Sequence, residues 1–225
     1  MSAAEQVRQA AEEAIGRLEL GAVQAAAAAL AERVGGGGLL YVLGTGHSQL
    51  LALEGYYRAG APAWVAPVLD PRLSPGRGVR ASASERAAGV GRRLVAEIGP
   101  EHALLVVSNS GRNAVPVEAA EAAAAAGLLT LAITSRSTGN RLAAVVHHVL
   151  DTAVPPGDAA IEVGGKGVRM APLSTIVGAV VLHALLAQTE AALGAARVLV
   201  SNNVPGGNER NAPLIVRYPH LRPLR

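Results

Sequence analysis

The sequence predicts an α/β fold: a three-layer α/β/α sandwich around a five-stranded parallel sheet with the flavodoxin-like strand order 2-1-3-4-5. Three observations carry this expectation. Short apolar runs alternate with helical patterns along the chain, the signature of parallel strands joined by helical crossovers. The runs at 39–43 and 103–107 are continuously apolar, as expected of strands covered on both faces. Two loops rich in Gly, Ser and Thr leave these same runs and open helices, as βα units do.

Residues 3–33 carry helix formers throughout, with Ile15, Leu18, Val23 and Leu30 as the larger apolar contacts, and predict one long helix. The Gly35–Gly38 run ends it and leads into the first strand, 39–43. His47–Ala59 reads as a helix closed by Gly60 and Pro62, followed by a short second strand over 63–67. Asp70–Ser84 is rich in Pro, Gly, Ser and Arg and reads as a mobile loop able to close over a ligand. Glu85–Glu97 is helical, 103–107 is the third strand, Arg112–Ala126 is a helix stopped by Gly127, and 128–133 is the fourth strand. His147–Leu150 reads as a short fifth strand and Asp151–Arg169 as loop. Pro172–Leu193 is a long helix with proline near its first turn. A polar tail with Ser201, Asn202, Asn203 and Asn208 leads into a short C-terminal helix. Neither a repeat nor a linker divides the chain. One domain is expected over 1–225: a helical segment (1–34), an α/β core (35–195) and a tail (196–225).

The 225 residues suffice for one such core. Half are hydrophobic, but there is no Phe, one Trp (Trp64) and only four Tyr. Packing must therefore come from Leu, Val and Ala, with helices close to the sheet. The net charge is +3, arginines are scattered, and aromatics for base stacking are scarce, which speaks against nucleic acid. Cysteine is absent, which excludes disulfides and thiolate chemistry and fits a reducing compartment. Glu5, Arg8, Glu12 and Glu13 interrupt any leader-like apolar segment near the N-terminus. The most apolar stretch, Ile176–Ala187, is too short to span a bilayer. The expectation is a cytoplasmic protein without a membrane segment.

The two loops carry the chemistry. The first reads Gly44-Thr45-Gly46-His47-Ser48 and the second Ser108-Asn109-Ser110-Gly111-Arg112-Asn113. Such loops offer free backbone N–H groups and hydroxyls, backed by the positive end of a helix dipole, and suit a phosphate. In the order 2-1-3-4-5 the sheet reverses direction between the first and third strands, and open α/β sheets bind ligands at that reversal. Both loops lie there.

With these residues in view, the chain resembles the sugar isomerase (SIS) family of phosphosugar-binding domains. The first loop matches the family's first loop. Ser108-Asn109-Ser110-Gly111 with Asn113 resembles its Ser-x-Ser-Gly-x-Thr signature, with Asn at the usual Thr position. Leu131-Ala132-Ile133-Thr134-Ser135 continues the pattern. Glu54, Tyr57-Arg58-Ala59-Gly60, Pro156-Gly157-Asp158-Ala159, Pro172-Leu173-Ser174-Thr175 and Ala212–Tyr218 extend the likeness to an uncharacterised single-domain branch. The resemblance implies a sugar-phosphate ligand, a homodimer or tetramer, and a pocket completed by a neighbouring subunit. It also implies that Gly44, Thr45, Gly46, Ser48, Ser108, Asn109, Ser110, Gly111 and Asn113 hold the phosphate. Helix capping is the competing reading of the Ser and Asn residues.

An aldose–ketose isomerase needs a carboxylate or imidazole beside the reacting carbons. Glu54, seven residues after His47 and so on the same face of the expected helix, is the first choice as acid or base. A merely solvated helix glutamate is the alternative. His47 could assist at the sugar oxygens or simply bond to backbone. His183 on its apolar helix and Glu162 in the 158–169 loop are additional pocket candidates, with core and exposed-loop readings respectively. His147 and His148 read as structural. The phosphoheptose isomerase branch uses a helical His and Glu plus Gln and His on the last long helix. The corresponding residues here are Glu54, Arg58, Thr175 and His183, and only the last matches. No metal or cofactor is expected.

The resulting reading is a sugar-phosphate isomerase working through an enediolate. Its rivals are a lyase resembling N-acetylmuramic acid 6-phosphate etherase, whose glutamate falls near Arg58, and a non-catalytic phosphosugar sensor.

Overall fold

The computed structural model describes residues 1–222; the end of the expected tail, 223–225, lies outside the described residues. Five parallel strands form the central sheet in the order β2-β1-β3-β4-β5. They are β1 (Leu40–Gly44), β2 (Val65–Val68), β3 (Ala103–Val107), β4 (Leu129–Thr134) and β5 (His148–Asp151). Each lies within one or two residues of its expected position. On β3, Ala103, Leu105 and Val107 join one core and Leu104 and Val106 the other. Sheet alternation with both faces covered thus explains the unbroken apolar run.

The first layer contains α1 (Ala3–Gly16), α2 (Leu20–Gly35), α3 (Gln49–Glu54) and α7 (Ser174–Ala192). The opposite layer is built on α5 (Val90–Val95) and α6 (Ala114–Ala125). Trp64, fully buried, joins the first core together with Leu30, Leu40 and Leu105. Apart from Trp64, that core is dominated by aliphatic side chains, as the composition requires. A short helix α4 (Val79–Ser84), an antiparallel hairpin of β6 (Ala159–Val163) and β7 (Val168–Pro172), and a C-terminal helix α8 (Gly207–Arg217) complete the fold.

Several expectations are corrected. The helix over 3–33 is two helices, α1 and α2, bent by 61° at residues 17–19 so that Ala14 and Val23 both enter the core. The helix His47–Ala59 begins as a 3-10 turn, Gly46–Ser48, and its α-helical part stops at Glu54, with Gly55 as its C-cap and Tyr57 at φ 41°. The expected helix 85–97 is shortened to α5, because Gly89 adopts φ 77° at its start. Asp70–Ser84 is built structure: two proline-led 3-10 turns, capped by Asp70 and Ser74, then α4. The expected loop Asp151–Arg169 contains β6 and the start of β7. Finally, α7 has 19 residues and is long and apolar enough to cross a bilayer by length and composition. Its Val177, Val181, Leu182, Leu185 and Leu186 are instead packed against the sheet and α2.

Candidate functional site

The register of the sheet brings the two loops together. Gly44 at the end of β1 pairs with Val107 at the end of β3, so both loops leave the sheet at one level from neighbouring strands, about 5 Å apart. At Gly44 a Cβ would lie 2.2 Å from the Ser48 carbonyl oxygen, so only glycine lets the loop fold back this tightly. At Gly111, φ is +57° and a Cβ would meet Asn140 Oδ1 at 1.8 Å.

Between them lies a crevice lined by Ser48, Leu51, Val107, Asn109, Ile133, Thr152, Ser174 and Thr175. The crevice is narrow and partly open, with room at its depth for about one water, 10 Å³. Ser48 and Asn109, from the two loops, line the same crevice. Ser110 is half-buried beside them and is not a lining residue. The start of α7 adds a third helix N-terminus through Ser174 and Thr175. Asp158 fixes that start: its Oδ1 accepts the N–H groups of Leu173 (2.9 Å) and Ser174 (2.7 Å), and its Oδ2 accepts Ser174 Oγ–H at 2.5 Å.

The capping reading separates the serines. Ser48 and Asn113 occupy N-cap positions, yet neither side chain makes a capping hydrogen bond. Ser108 is committed locally: its Oγ accepts the Gly111 N–H at 3.2 Å, and its carbonyl accepts Thr134 Oγ1–H at 2.6 Å. Asn109 accepts at Oδ1 from Thr152 Oγ1, 3.5 Å away. Thr45 is buried and donates Oγ1–H to Glu85 Oε2 at 2.8 Å. His47 is exposed on the 3-10 turn, and among the described residues its ring has no hydrogen-bond partner.

Glu54 is not a lining residue of this crevice. At the end of α3 its Oε1 lies 3.0 Å from His183 Nε2 of α7 and is ion-paired with Arg58. The His183 hydrogen bond, opposed by partial burial and helped by the Arg58 charge, holds the Glu54 carboxyl below its ordinary range. Of the four residues set against the phosphoheptose isomerase positions, Glu54, Arg58 and His183 therefore meet, while Thr175 lines the crevice. Glu54 is six residues beyond Ser48, some 9 Å at helical rise. His183 also lines a neighbouring 320 Å³ pocket with Leu186 and Glu190.

Glu162 stands apart from both groups. It lies on β6, not in a loop, and its Oε1 accepts the Gly167 N–H at 3.0 Å across the hairpin turn. His147 is structural, its Nδ1 accepting the Thr130 N–H at 3.1 Å. Sequence reasoning missed Thr152, Ser174 and Glu85. The first two carried a usable signal, following the last strand of the sheet and opening the long helix. Glu85 carried none, because its partner is 40 residues away.

Residues 4–135 match the family model of the SIS domain. The UPF0309 protein of Brucella canis is 37% identical over 222 residues, covering 91% of this chain and 90% of its own. Among solved structures, the phosphoheptose isomerase of Neisseria gonorrhoeae superposes with a TM-score of 0.54 at 20% identity, covering 84% of this chain and 94% of that one. The Vibrio vulnificus NanR protein, solved with ManNAc-6P, gives 0.52 at 13% identity, covering 95% and 67%. At these identities the two structures show a common fold.

Proposed function

This chain belongs to the SIS-domain family, and from that premise we propose that its crevice grips the phosphoryl group of a sugar phosphate. One observation carries the proposal: loops from two register-matched strand ends bring the uncommitted Ser48 hydroxyl and Asn109 to one crevice, which a third helix N-terminus closes with Ser174 and Thr175. The finer reading is an aldose–ketose isomerase. Glu54, kept ionised by His183 and Arg58, takes the proton from C2 of the aldose and returns it to C1 through an enediolate, while His47 attends the sugar oxygens. The narrow crevice leaves the sugar at its open mouth, and exposed Leu50, Leu53 and Ile176 on α3 and α7 support a homodimer whose second copy covers it.

The test is proton–deuterium exchange, followed by NMR, from a panel of pentose, hexose and heptose phosphates in D₂O. Isomerase chemistry gives C1/C2 exchange in the wild type, lost in Glu54→Gln with binding retained. Saturable binding without exchange supports a phosphosugar sensor instead, a reading favoured by the engagement of Glu54 in an ion pair away from the crevice lining.

A further inference from the structure

Glu85 is the residue that ties the two serine loops together. Its side chain reaches the first loop, where Oε2 accepts Thr45 Oγ1–H at 2.8 Å. A Cβ on Gly46 would stand 3.8 Å from the same oxygen, so the carboxylate overlooks the turn of that loop. Its backbone is tied to the second loop's helix, because the Glu85 carbonyl accepts the Val115 N–H at 3.1 Å in the first turn of α6. Among the described residues Glu85 forms no salt bridge, and its Oε1 accepts no hydrogen bond.

A carboxylate set against the first of two loops proposed to hold phosphate is costly if its only task is stapling, since it repels the anion those loops are shaped to hold. A carboxylate offers only acceptors, and the complementary groups are hydroxyl and ammonium. We infer that Glu85 is the specificity-determining residue of the site: its free oxygen accepts a hydroxyl or amino group of the carbohydrate while the loops hold the phosphate. The inference rests on the sugar-phosphate reading of the crevice. It gives the site a means of rejecting inorganic phosphate, which brings the charge but no donor to offset the repulsion.

Calorimetric titration of the full chain tests this with two probes. One is inorganic phosphate. The other is whichever of glucose 6-phosphate, fructose 6-phosphate and ribose 5-phosphate binds the wild type most tightly. Glu85→Gln keeps an acceptor for Thr45 and removes the charge. Sugar-phosphate affinity should fall about 10- to 100-fold, the range for a hydrogen bond to a charged group, while inorganic phosphate binds as well as before or better. Glu85→Asp, which withdraws the charge by one methylene, should also weaken the sugar phosphate and leave inorganic phosphate unchanged. Parallel loss of both probes, with a lowered melting temperature, would make Glu85 a staple and overturn the inference. Unchanged affinities would overturn it equally. A wild type that binds a sugar phosphate while its variants behave in either of these ways refutes the inference alone, and one that binds no sugar phosphate refutes the crevice reading beneath it.

Discussion

Replacing Gly111 by alanine tests the scaffold of the second loop. The substitution acts twice. Alanine at φ +57° costs about 1–2 kcal/mol in the left-handed region. Its Cβ would also occupy the position of the Asn140 amide, 1.8 Å from Oδ1, and must displace it. That amide donates to Thr134 Oγ1 and, at 3.0 Å, to the Ser135 carbonyl, and it accepts the Ala143 N–H at 3.0 Å. Three hydrogen bonds at about 0.5–1.5 kcal/mol each bring the expected loss to about 3–6 kcal/mol, a large share of a domain's stability. Urea denaturation of the wild type, Gly111→Ala, Asn140→Ala and the double variant measures it. Because the clash needs both side chains, the double variant should lose only about 1–2 kcal/mol more than Asn140→Ala alone. A Gly111→Ala protein within about 1 kcal/mol of wild type, or strictly additive variants, would refute the argument.

Two further outcomes are expected. Glu190, buried on α7, accepts Trp64 Nε1–H at 2.7 Å and the Arg197 N–H at 2.8 Å. Glu190→Ala leaves the buried Trp64 Nε1–H and the half-buried Arg197 N–H unpaired, at up to about 1–3 kcal/mol each, and Trp64, the only tryptophan, should report earlier unfolding by fluorescence. The second concerns pH. Burial pushes the His220 pKa down, against the hydrogen bonds to the Val65 and Ala63 backbone. The native state then binds fewer protons than the unfolded chain below the unfolded value of about 6.5, so stability falls as pH drops through that point and levels off below the folded value. His220→Gln should flatten this slope below about pH 6.5, leaving the contribution of His148, which burial lowers in the same direction. An unchanged slope would show that His220 does not contribute.

The fold and the loops were legible because their causes are local. Continuous apolar runs mark strands covered on both faces, and the Gly/Ser loops sit where βα connections must turn. Elements whose form depends on distant partners were misread. The bend between α1 and α2 lies in a sequence of helix formers and follows from packing both helices on one core. The hairpin β6–β7 exposes Val168 and Met170 and lacks a clean period of two. The Asp70–Ser84 segment has the composition of a loop, yet Pro71 and Pro75 start turns that the Asp70 and Ser74 side chains cap.

For the site the division is the same. Sequence alone marked out the two Gly/Ser loops that we propose hold the phosphate, because loop composition and strand ends are properties of contiguous segments. Tertiary structure alone decided which hydroxyls are already spent, as at Ser108, and which remain, as at Ser48. It also decided that Glu54 meets His183, and that Glu85 reaches Thr45. These are pairings across 129 and 40 residues. A side chain's partner at such separations is set by sheet register and helix packing, which no local pattern encodes.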